Sequence, residues 1–148
     1  HTNSAIAAIT RLRDMGIESF LLASSLRTII SQRLVRRLCL NCRFEELAHP
    51  QAVNLFNLDT DMKIWNSNGC DDCSNSGYQG RIAIAECVQV DKKLKEMIHN
   101  HDSESAISDY VFKDNQSIDQ ASRDLLISGI TSCDELVRVG NLQEDASI

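Results

Sequence analysis

The chain has 148 residues, of which 43% are hydrophobic, 24% charged and only 5% aromatic, with six cysteines, one proline and a formal net charge of −6. Such a composition suits one globular domain or two small subdomains with an aliphatic core, and it argues against long disorder. No apolar run approaches the roughly 18 residues of a membrane span, so the chain reads as soluble. The charge is unevenly placed. Residues 1–43 carry seven arginines against two acids, whereas residues 44–148 carry eight basic residues against nineteen acidic ones. A basic block of this kind could face phosphate, nucleic acid or an acidic neighbouring subunit, or be a solvated face.

His1-Thr2-Asn3-Ser4 offers several N-cap candidates, Ile6, Ile9 and Leu12 follow at helical spacing, and Asp14-Met15-Gly16 stops the first helix. A second, longer helix is expected from about Ser19 to Leu38, with Leu22, Leu26, Ile29, Ile30 and Leu34 as its apolar stripe and Arg27, Arg33, Arg36 and Arg37 on the remaining surface. Residues 44–68 read as an insert: a short helix at Gln51–Phe56, a loop and an extended piece at Met62–Trp65. Gly77 and Gly80 permit the positive φ values that a metal knuckle and its exit require. Arg81–Val90 is rich in β-branched residues and alternates, which predicts a strand. The remainder is helical: Lys92–His99 capped by Asp91, then Ser103–Phe112, then Ser117–Ser128 ended by Gly129. A last short helix opens on a capping box, with Ser132 as cap and Glu135 three residues on. The tail from Gly140 to Ile148 is expected to fray.

Cys39-Leu40-Asn41-Cys42 and Cys70-Asp71-Asp72-Cys73 are two C-x-x-C pairs separated by twenty-seven residues. A two-residue gap lets a tight turn aim two thiolates at one ion, and a second pair completes the four donors of a tetrahedral Zn²⁺ site. Disulfides would require an oxidising compartment, and a thioredoxin-type redox pair would need no second copy. Structural zinc held by Cys39, Cys42, Cys70 and Cys73 is therefore the reading, and reduced, metal-type cysteines point to the cytoplasm. Cys87 and Cys133 stand apart as ordinary buried or half-buried thiols.

Three segments in order resemble a known family. His1-Thr2-Asn3 followed by Arg11-Leu12-Arg13-Asp14-Met15-Gly16-Ile17 looks like the end of a histidine box and the helix after it. Ser31-Gln32-Arg33-Leu34-Val35-Arg36-Arg37-Leu38-Cys39 is similar to a glutamine-arginine run entering the first cysteine pair. Gly77-Tyr78-x-Gly80-Arg81-Ile82-Ala83-Ile84-x-Glu86 is similar to the strand after the second pair. Together they resemble the type II secretion system ATPases (general secretion pathway protein E) and their relatives, the type IV pilus assembly ATPases, over residues 1–139.

The resemblance implies a mostly helical α+β fold. Residues 1–38 would end a RecA-like ATPase core, 39–81 would form an inserted tetracysteine zinc module, and 82–148 would add a strand and a C-terminal helical subdomain. It also implies a hexameric ATPase in the bacterial cytoplasm, using ATP and Mg²⁺ and docked on inner-membrane platform proteins. His1 would be the residue near the γ-phosphate, and Arg33, Arg36 and Arg37 would lie at a subunit interface or near the nucleotide. Alternatively, those arginines pair with acids of the insert such as Glu45 and Glu46. The chain has no G-x-x-x-x-G-K-[ST] run. It is therefore expected to be a C-terminal portion that does not hydrolyse ATP alone. A zinc-ribbon nucleic-acid module is the competing reading, opposed by the net charge and by the few aromatics, of which Trp65 and Tyr78 lie near the knuckles.

Overall fold

A computed structural model describes residues 4–140. His1 and residues 141–148, which carry the catalytic-histidine and fraying-tail expectations, lie outside the described residues. Among those described, seven α-helices and four β-strands divide into two units, both discontinuous in sequence. The first comprises residues up to Gln32 together with Ala85–Ile118, and the second Arg33–Ile84 with the residues from Asp119 on.

The first unit starts where Ser4 leaves extended backbone and its hydroxyl accepts the Ala7 N–H at 3.0 Å, opening α1 (Ala5–Asp14). Helix α2 (Ser19–Ser25) follows and ends at Leu26, which is extended. The expected continuation of this helix to Leu38 is corrected: residues Thr28–Leu38 form a strand, β1. The apolar spacing of Leu26, Ile29, Ile30 and Leu34 fits a helix, but Thr28, Ile29, Ile30 and Val35 are β-branched and stiff at χ1. The exposure of β1 alternates from Thr28 to Leu34, as a pleated strand requires. It pairs with β4 (Tyr78–Gln89), and that long-range pairing overrides the helix propensity of the Leu, Gln and Arg residues. Because the unit boundary falls within both strands, each contributes residues to both units.

Helix α4 (Lys92–His99) is capped by Asp91, whose carboxylate accepts the Leu94 N–H at 2.7 Å and the Tyr110 hydroxyl at 2.5 Å. Those two hydrogen bonds hold the Asp91 carboxyl below its ordinary pKa. Ser103 caps α5 (Glu104–Val111) in the same way. Ile6 and Ile9 of α1, Leu22 of α2, Val88 of β4, Leu94 and Ile98 of α4 and Ile107 of α5 meet in one aliphatic core. Each such burial contributes roughly 1.5–3 kcal/mol. Glu86 is the exception, a buried carboxylate in this unit. It accepts the N–H of Ala5, the first residue of α1, and of Ile118, the first residue of α6 (Ile118–Ile127), the latter at 3.0 Å. Helix N-termini leave such donors unpaired and carry partial positive charge, so a carboxylate is the residue that fits there. Cys87 is exposed, not buried as expected. Strand alternation turns Ile84, Glu86 and Val88 inward and Cys87 outward.

In the second unit, β2 (Arg43–Leu47) pairs antiparallel with β3 (Lys63–Ser67), in a register running from Arg43 opposite Ser67 to Leu47 opposite Lys63. Helix α3 (Pro50–Phe56) lies between them in sequence, with proline in its first turn and His49 Nδ1 accepting the Ala52 N–H. Helix α6 gives way to Gly129 at φ +67°, and α7 (Cys133–Gly140) follows. The Ser132 hydroxyl accepts the Glu135 N–H, the first half of the expected capping box. The second half does not form, because the Glu135 carboxylate binds two arginines instead. No helix among the described residues is long and apolar enough to cross a membrane.

Candidate metal centre

Strand β1 delivers Cys39 directly after Leu38. The chain then turns tightly, with the Cys39 carbonyl accepting the Arg43 N–H at 3.0 Å, and this places Cys42 on the same side as Cys39. The second knuckle starts from Cys70 in extended backbone and continues as a single 3-10 turn, Asp71–Cys73. The Cys70 carbonyl accepts from Cys73 and Asn75, and Ser74, Asn75 and Gly77 take positive φ to bring the chain around. Gly77 is required here. It sits at φ +76°, and a Cβ would collide with the Ser67 side chain of β3.

These turns bring the four predicted sulfurs within 4.8 Å of one another. Cys39 and Cys70 are 3.8 Å apart, Cys42 and Cys73 are 3.8 Å apart, and Cys70 and Cys73 are 3.7 Å apart. A disulfide would bring two sulfurs to about 2.05 Å, so these are separate thiols. The corners of a tetrahedron with metal–sulfur bonds of about 2.3 Å lie about 3.8 Å apart. The spacing and the all-sulfur donor set therefore fit a four-coordinate ion of the soft or borderline kind.

The surroundings favour thiolates at one corner. Burial alone would raise the Cys73 thiol, but N–H groups of Cys70 and Gly77, each 3.2 Å from its sulfur, outweigh it and bring the pKa down to about 6. At the opposite corner, burial and then the neighbouring sulfurs push Cys42 up to about 12. Four crowded thiols thus resist losing all their protons together, and a cation among them reverses that preference. Cys39 and Cys73 are buried, and Cys42 and Cys70 half-buried, so such an ion would be largely enclosed.

Of the predicted arginines, Arg36 is engaged within the protein. Its backbone N–H and Nε donate to Glu135 at 2.9 and 2.8 Å, its Nη2 lies 2.7 Å from the same carboxylate, and its guanidinium stacks 4.0 Å over Tyr78. Of the alternative partners, Glu45 accepts from Lys63 Nζ and Glu46 from Asn66 Nδ2. Arg33 is half-buried on β1 and Arg37 exposed. Arg43 donates to the Gly129 carbonyl at 2.8 Å and lies 4.4 Å over Trp65. Both aromatic rings near the knuckles therefore have an arginine over one face, which removes much of the stacking platform that nucleic-acid binding would need.

Sequence reasoning missed the importance of Glu135. It is fully buried between Arg36 and Arg138. Burial would raise its pKa, but hydrogen bonds from Arg138 and Arg36 bring it down to about 2. The one sequence signal is its place three residues after Ser132, which points to a helix cap and not to an ion pair.

A family described as type II/IV secretion system protein matches residues 1–138. The type II secretion system protein E of Klebsiella pneumoniae is 40% identical over 139 residues, 94% of this chain and 28% of that protein. A putative type II secretion system protein E of Escherichia coli K12 is 46% identical over 143 residues, 95% of this chain and 29% of that protein. The type II secretion system ATPase E of Vibrio cholerae is 41% identical, and the match covers 94% of this chain and 28% of that protein. The chain thus spans under a third of the length of these relatives. With the cysteine cluster in the matched region, the chain belongs to the type II/IV secretion system protein family.

Proposed function

We propose that these residues are the C-terminal portion of a hexameric cytoplasmic ATPase that drives type II protein secretion by assembling a pseudopilus. The relative named as an ATPase supports the motor assignment, and the relatives named for type II secretion favour that system over type IV pilus assembly. In this reading residues 1–38 complete a RecA-like core, and ATP and Mg²⁺ bind chiefly through a phosphate-binding loop that these residues do not contain. His1 takes the γ-phosphate-proximal place that the resemblance gives it. Arg33, Arg36 and Arg37 are the candidates for contact with a neighbouring subunit or its nucleotide, Arg36 while also bound to Glu135.

The four cysteines hold a structural zinc ion in this proposal, with no open position for water or substrate. The observation that carries it is the tetrahedral sulfur spacing inside the family-matched region. Bound zinc would supply cross-linking and charge neutralisation only. The chain's own residues supply the rest: two knuckles, the Gly77 turn and two N–H donors to Cys73. The knuckles hold β2, α3 and β3 as a rigid surface that docks the motor to its inner-membrane platform or to a neighbouring subunit. The test is complementation of a secretion-deficient strain with the whole protein carrying Cys70→Ser. Loss of secretion and of platform binding, at normal protein level, is expected; full secretion with normal platform binding would overturn the docking role.

A further inference from the structure

Residues 128–132 connect α6 to α7, and with Glu135 of the first turn of α7 they reach residues that flank both knuckles. The Ile130 carbonyl accepts the backbone N–H of Leu38, the residue just before Cys39, at 2.8 Å. The Gly129 carbonyl accepts Arg43 Nη1, from the residue just after Cys42, also at 2.8 Å. The first cysteine pair is thus bracketed by two consecutive carbonyls. On the other side, Ser132 Oγ lies 2.6 Å from the hydroxyl of Tyr78, which follows the second knuckle. That knuckle meets the first directly, since the Gly77 carbonyl accepts the Cys39 N–H at 2.9 Å.

Two further contacts fix the connection itself. Thr131 Oγ1 donates to the Arg36 carbonyl at 2.8 Å, and Glu135 takes the Arg36 N–H and guanidinium. Thr131, Ser132 and Glu135 are each at most 2% exposed. Gly129 cannot be replaced by a larger residue without strain, because its φ is +67° and a Cβ would enter the Trp65 ring. Buried polar groups left without partners are costly, so this set of hydrogen bonds holds one arrangement.

We propose that the α6–α7 connection is the positioning element of the metal centre. It holds the two knuckles at tetrahedral separation before any ion enters and slows their parting afterwards. This rests on the zinc reading above. Metal affinity and the docking of α7 are then reciprocally coupled, because each favours the same arrangement of the knuckles. Thr131, Ser132 and Tyr78 act through the cysteines and touch no ion.

The test is zinc release from the zinc-loaded 148-residue chain into excess chromogenic chelator. Tyr78→Phe and Thr131→Val each remove one hydroxyl and keep the shape of the side chain. Tyr110→Phe is the control, since it removes a comparable tyrosine hydrogen bond, to Asp91, in the first unit. Release should be about fivefold faster in each connection variant, and faster still in the double variant, with the control at the parent rate. Parent-like rates in the connection variants, or equal acceleration in the control, would overturn the positioning role while leaving zinc in place. A parent chain that takes up no zinc would overturn the zinc reading, and the inference with it.

Discussion

The two units are stabilised by different means. The first has an aliphatic core in which side chains of α1, α2, α4 and α5 interlock, with Glu86 and Ser19 as its buried polar residues. The second buries fewer large aliphatic side chains against more polar and sulfur atoms: Cys39, Cys73, Cys133, Ser122, Thr131, Ser132 and Glu135. Its short strands and α3 provide little apolar area, and small folds of that kind commonly require a metal or another cross-link. An aliphatic core is tolerant of conservative exchange and depends little on pH or metal supply. A centre built on thiols and a buried ion network depends on metal supply and pH.

The largest expected break in this comparison is metal removal. Chelation, or Cys70→Ser, should sharply lower amide-exchange protection through β2, β3 and the knuckles, leaving only what the α6–α7 connection holds, while α4 and α5 keep theirs. Uniform loss of protection across the chain, or none, would show that the two units do not differ in this way. The converse perturbation is Leu94→Ala, which opens a cavity at a fully buried position of the first unit. It should cost about 2–5 kcal/mol in urea denaturation of that unit. Zinc content should stay at the parent value, and a proportional loss of metal would contradict the separation.

Legibility in the sequence followed the range of the interaction. Asp91 and Ser132 declared their helices because a cap acts within three residues, and Gly129 declared an end because its backbone conformation disfavours other residues. The cysteine pairs were readable because each knuckle is local and only the meeting of the two is remote. Strand β1 was not readable: Leu26, Ile29, Ile30 and Leu34 satisfy a helical period, and the partner strand that decides the matter begins at Tyr78. For the same reason the pairing of Arg43–Leu47 with Lys63–Ser67 was only half foreseen, through β3. Glu135 looks like a surface acid in sequence, and Glu86 looks misplaced on the inward face that Ile84 and Val88 define. What makes their burial tolerable is visible only once Ile118 comes to one carboxylate and Arg36 to the other, from 32 and 99 residues away.

Glu135 also allows the finest test of the contrast. Its pKa is held near 2 against an ordinary 4.5. A carboxylate with a lowered folded-state pKa contributes its full stability above the unfolded value and loses it as pH falls through the folded one. The contribution should therefore be complete at pH 7, begin to fade below about pH 5 and be nearly gone at about pH 2. A shift of this size corresponds to roughly 3 kcal/mol as an upper figure, because Arg36 and Arg138 are themselves 40% and 59% exposed and partly screened. Acid also protonates the thiolates and strips metal, so the decline of the parent alone is ambiguous. Comparison with Glu135→Gln removes that ambiguity. Both chains are compared metal-free, in excess chelator, so metal loss does not enter and the gap between their stabilities isolates the carboxylate. The gap should be about 2–3 kcal/mol at pH 7 and should close steadily from pH 5 towards pH 3. A gap that stays constant over that range would mean that the side chain contributes by shape and hydrogen bonding, not by charge. The buried ion network would then be no more pH-dependent than the aliphatic core of the first unit.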